Sequence, residues 1–110
     1  MKGGGHASNP GFSSTRGVQI SLARFNNITV DSTAGTVELG PGLTWDQVYA
    51  ALDPTGVNVI GARLPGVGVA GVTLGGGECP LSNASTGVIH DYVKASRIKA
   101  TSTASRSTTL

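Results

Sequence analysis

The 110-residue sequence predicts an α+β domain of short strands with one capped helix. Three observations carry that expectation. Two β-rich runs flank a four-residue loop that ends in glycine. One capping box opens a stretch with helical apolar spacing. Seventeen glycines, about twice average usage, require many tight turns.

Taken in order, Asn9-Pro10-Gly11 and Ser13-Ser14-Thr15 read as turn and loop. Residues 18–22 (Val18-Gln19-Ile20-Ser21-Leu22) alternate apolar and polar, the pattern of a half-buried strand. Residues 28–31 and 36–39 form two further β-rich runs, and Ser32-Thr33-Ala34-Gly35 between them predicts a hairpin that Pro41-Gly42 ends. In Thr44-Trp45-Asp46-Gln47 the Thr44 hydroxyl can accept the Gln47 amide while the Gln47 side chain reaches back, a capping box. Asp46 stands in the first turn, where negative charge suits the helix dipole. Trp45, Val48, Tyr49 and Leu52 then share one helical face, and Pro54 and Gly56 stop the helix. Residues 57–60 read as a short buried strand. From 61 to 77 glycine alternates with valine or leucine, which suits neither a stable helix nor an ordinary strand. Glycine in such a context marks close approach of a ligand or another backbone. Residues 92–100 suggest a last strand, and the Ser/Thr-rich 101–110 a disordered tail.

Composition narrows the function classes. A chain this long makes one domain at most. Its 38% hydrophobic and 13% charged residues exclude a highly charged disordered chain. The net charge of +2 offers no strong field for a polyanion. Lys94, Arg97 and Lys99 read as a solvated strand face with no aromatic stacking platform, so no nucleic acid is expected. Cys79 is the single cysteine, which rules out an intramolecular disulfide and a cysteine-rich zinc site. No apolar stretch is long enough for a bilayer, so no membrane partner is expected. No secretory signal precedes the first loop. The sequons at Asn27 and Asn83 are a weak hint of secretory ancestry.

The motifs point to an anion. Gly3-Gly4-Gly5-His6 and Gly75-Gly76-Gly77 are backbones able to approach a bulky anion closely, and consecutive amides in such turns form an anion-binding concavity. Gly66 to Gly71 formally match G-x-G-x-x-G, but a dinucleotide fingerprint needs a preceding strand and a following helix. No helix is expected after it, which sets the Rossmann reading aside. His6 reads equally well as a loop residue without a role. His90 and Asp91 diverge on a strand, Cys79 reads as a small buried residue, and Asp46, Asp53, Glu38 and Glu78 form no paired-carboxylate arrangement.

Five motifs in order carry a resemblance. They are Gly3-Gly4-Gly5-His6-Ala7-Ser8, Gly11-Phe12-Ser13-Ser14, residues 17–22, Gly42-Leu43-Thr44-Trp45 and residues 67–77. Together they resemble the FAD-binding domain of the berberine-bridge-enzyme-like FAD-linked oxidases, in the para-cresol methylhydroxylase / vanillyl-alcohol oxidase superfamily. The similarity runs over nearly the whole chain. It implies a partial FAD-binding domain of the para-cresol methylhydroxylase type over residues 1–100.

By that resemblance the first loop, Gly3, Gly4, Gly5, His6, Ala7 and Ser8, wraps the FAD pyrophosphate. His6 sits where many relatives bond covalently to the 8α-methyl of the isoalloxazine. Val67, Gly68, Gly71, Thr73, Gly75, Gly76 and Gly77 would line the other side of the cofactor, and Asp91 falls near the family's Gly-x-x-x-Asp segment. The implied activity is oxidation of a small organic substrate by hydride transfer to flavin, with dioxygen or another electron acceptor. Departures qualify it. No cysteine lies near Arg63-Leu64, so at most one covalent link is expected, and Ala70 stands where relatives more often have glycine. The family's strands before the histidine loop and its substrate domain are not in the sequence. The chain is therefore expected to be a fragment, inactive alone, with no catalytic residue to name. The competing expectation is a non-catalytic truncated remnant that binds no flavin. A small secreted β-rich binding module rests on the sequons alone.

Overall fold

The computed structural model describes residues 1–76. The expectations for residues 77–110, including the last strand, the tail, Cys79, His90 and the basic run, lie outside them. In chain order the elements are β1 (Ile28–Asp31), β2 (Thr36–Leu39), α1 (Trp45–Leu52), a 3-10 turn (Asp53–Thr55) and α2 (Val69–Gly75). Two helices beside a small sheet agree with the α+β class.

The hairpin forms as its spacing requires. β1 and β2 are antiparallel, with Ile28 opposite Leu39 and Asp31 opposite Thr36. Asp31 Oδ1 accepts the amides of Thr33 at 3.0 Å and Ala34 at 2.9 Å, so one carboxylate organises the turn. Ile28 and Val30 on β1, and Val37 and Leu39 on β2, pack against the core, while Thr29 and Glu38 face solvent. Period-two alternation thus selects the buried face.

α1 is the centre of the core. Its capping box is in place, with the Thr44 amide donating to Gln47 Oε1 at 3.0 Å. Trp45, Val48 and Leu52 are buried, and Leu43, Ala62 and Val69 join them. Tyr49 lies at the edge, its ring centroid 5.9 Å from that of Trp45 and its hydroxyl donating to the Ala62 carbonyl at 2.9 Å. Gly61 passes directly over the indole, where any Cβ would overlap the Trp45 ring. Pro54 enters the 3-10 turn, and Gly56, left-handed at φ 69°, ends it.

Three expectations are corrected. Residues 18–22 do not make a strand: Ser21 forms one isolated parallel bridge with Lys2, and Val18 is 93% exposed. Alternation needs a partner ladder, and among the described residues Lys2 alone supplies one rung. Residues 57–60 are unpaired and only half-buried at Val57, Val59 and Ile60. Their apolar run packs without entering a sheet. The stretch after residue 66 does contain a helix, α2, so the fold has two helices rather than one. Each glycine costs a helix about 1 kcal/mol relative to alanine. Tertiary contacts offset that here, because Val69 is buried and Val72, three residues on, packs on the same core.

Candidate functional site

Backbone hydrogen bonds bring the two glycine segments together. Lys2 donates to the Ile20 carbonyl at 2.8 Å and accepts from the Leu22 amide at 2.9 Å, which fixes the stem of the first loop. The second segment is tied to the start of α1, with Trp45 N–H to Val67 O and Val69 N–H to Leu43 O, each 2.9 Å. Gly4 and Gly68 then meet backbone to backbone. A Cβ on Gly4 would lie 2.6 Å from the Gly68 nitrogen, and one on Gly68 would lie 2.5 Å from the Gly4 nitrogen. Real Cβ atoms do not tolerate such distances, so both positions require glycine.

The two segments border an open cleft of about 370 Å3. Of the residues expected from sequence, Gly3, Gly4, Gly5, His6 and Ala7 line it from one side. Val67, Gly68, Gly71 and Gly76 line it from the other. Ser8 is exposed beyond its edge, and Thr73 and Gly75 lie on α2 away from it. Gly77 and Asp91 lie outside the described residues. Met1, Lys2, Phe12, Ser13 and Val72 also line the cleft, beyond the residues the sequence points to. The signal for Lys2 was its position directly before the glycine run.

The surface suits an anion. Among the described residues the amides of Gly3 through Ser8 donate to no protein group, so a row of consecutive donors is left for a ligand or solvent. The glycine contact leaves no side chain between the two backbones at Gly4 and Gly68. His6 is exposed, and its Cδ2 lies 3.7 Å from where a Gly66 Cβ would stand. Asp46 fixes that Gly66 turn: its carboxylate accepts the Gly66 amide at 2.7 Å across twenty residues of sequence. This bond, followed by one from the Thr44 hydroxyl, holds the Asp46 carboxyl below its ordinary range.

The G-x-G-x-x-G segment also needs correction. A helix does follow it, since Gly68 is the N-cap of α2. The residues before it, 61–65, form no strand. The strand–turn–helix context of a Rossmann fingerprint is therefore not met.

Comparison with known proteins gives the site a context. A family model described as FAD binding domain matches residues 1–101. A FAD-dependent monooxygenase of Fusarium proliferatum is 43% identical over 83 residues, which cover 74% of this chain and 16% of that protein. Another FAD-dependent monooxygenase, of Aspergillus niger, is 43% identical over 79 residues, covering 70% of this chain and 14% of the relative. A FAD-linked oxidoreductase of Arthroderma benhamiae is 45% identical over 83 residues, 74% of this chain and 17% of that protein. The chain thus spans about a sixth of the length of these relatives. No solved structure matches significantly.

Proposed function

The chain belongs to the FAD binding domain family, and from that premise we propose that it holds the cofactor's diphosphate in a FAD-linked oxidoreductase of the para-cresol methylhydroxylase type. One observation carries the reading: Gly4 and Gly68 abut in the wall of a cleft, and among the described residues the first-loop amides have no protein acceptor. Gly3, Gly4, Gly5, His6 and Ala7 offer donors from one wall, and Val67, Gly68, Gly71 and Gly76 form the other. Ser8, Thr73, Gly75, Gly77 and Asp91 belong to the reading by family resemblance. His6, which the family resemblance assigns to a single covalent bond to the flavin, is exposed beside Gly66, and that exposure supports the reading.

When bound, FAD supplies the redox chemistry, taking a hydride from a small organic substrate and passing the electrons to dioxygen or another acceptor. The chain's own contribution is to bind and orient. The glycine walls let the backbone close on the diphosphate, and the Asp46 bond to Gly66 keeps the turn beside His6 in place.

Purification of the chain with FAD tests this. Wild-type protein is expected to be yellow and to keep flavin absorbance in the pellet after acid precipitation. His6→Ala should still bind flavin but release all colour into acid. Colour lost from wild type only on acidification refutes the covalent bond. Wild type that retains no flavin before acid overturns the binding role and favours the non-binding remnant.

A further inference from the structure

We propose that Lys2 is the countercharge for the cofactor diphosphate, an assignment that rests on the flavin-holding reading above. Its main chain is pinned on both sides by Ile20 and Leu22, so the side chain leaves from a fixed stem. That side chain folds back over the first glycine loop. Its Cε lies 2.8 Å, and its Nζ 3.6 Å, from the position a Gly5 Cβ would occupy. Gly5 has φ 70°, a conformation that also favours glycine. The loop therefore makes room for the lysine as well as for a ligand. A side chain at position 5 would push the ammonium away from the row of free amides.

The electrostatic setting agrees. Of the residues that line the cleft, Lys2 is the one with a permanently cationic side chain, and none carries a carboxylate. Among the described residues no acid pairs with Lys2. Asp46, the nearest acid to the second segment described above, is turned to the Gly66 amide. Backbone donors supply geometry but no net charge, whereas a diphosphate carries formal negative charge. An ammonium beside those donors makes charge-assisted hydrogen bonds, roughly twice as strong as neutral ones.

The test is FAD titration of the full 110-residue chain, wild type against Lys2→Gln and Lys2→Arg, followed by flavin fluorescence at low and high salt. Lys2→Gln should bind FAD about tenfold more weakly at low salt. That gap should shrink as salt screens the pair. Lys2→Arg should stay close to wild type. Equal affinity of Lys2→Gln and wild type overturns the assignment while leaving the flavin-holding reading intact. A gap unchanged by salt, or not repaired by arginine, also overturns it, because that pattern belongs to a folding defect. If wild type binds no FAD at any salt, the flavin-holding reading itself fails and the assignment fails with it.

Discussion

The two glycine segments look alike in sequence but are held in opposite ways. Gly66 to Val69 are wired into the core through Asp46, Trp45 and Leu43. Among the described residues Gly3 to Ser8 make no hydrogen bonds, and the loop is tied by the backbone bonds of Lys2 and by the packing of Gly4 on Gly68. One segment is scaffold, and the other is a donor surface laid against it. The difference shows that glycine content marks where backbone approaches backbone, whereas hydrogen bonding decides which partner is rigid.

The contact between them can be broken directly. Gly68→Ala should cost about 2 kcal/mol in urea unfolding, because its methyl overlaps the Gly4 nitrogen and the segments must part. Gly4→Ala should cost less, since the first loop has fewer bonds to hold it in place. The double variant should cost little more than Gly68→Ala alone, because the contact is already lost. Full additivity would show that the segments do not touch in solution.

The scaffold side can be tested apart from the contact. Tyr49→Phe removes the hydroxyl that donates to Ala62 and should destabilise the chain by about 1 kcal/mol in urea melts, with no effect on the first loop. A shift in loop amide exchange would contradict the division into scaffold and surface.

The smallest effect concerns acid. The Asp46 carboxyl titrates below its ordinary range in the folded chain, so its stabilising contribution is present at neutral pH. That contribution is lost as pH falls through the folded-state value. Acid unfolding curves of wild type and Asp46→Asn should therefore converge at low pH and separate above the usual carboxylate range. Parallel curves at all pH values would mean that ionisation of Asp46 adds nothing to stability.

Local signals proved legible and partner-dependent ones did not. The capping box at Thr44 and Gln47, and the hairpin turn built by Asp31, depend on residues within a few positions of each other, and both form as their sequences require. Residues 18–22 and 57–60 have strand-like patterns, but a strand is defined by its neighbour, which no pattern supplies. α2 was hidden by its glycines. Val69 and Val72 at helical spacing, after Gly68 and before Gly76, were the signal that outweighed them. In the site, the first glycine run lines one wall of the cleft. Of the run at 75–77, Gly76 alone among the described residues lines it, the rest of that wall coming from Val67, Gly68, Gly71 and Val72. Thr73 and Gly75 fell outside it because a helix, not an extended segment, carries them. Lys2 stands directly before the first glycine run, but that position alone does not reveal the way its side chain folds.

Trp45 is the single tryptophan, buried to 3% exposure, with its main chain bonded to Val67 and its ring under Gly61. Its indole nitrogen has no acceptor among the described residues. The chain therefore contains its own optical gauge. Ultraviolet emission from one ring, seated beneath the rigid wall, will change colour or dim when that wall moves, without any attached dye.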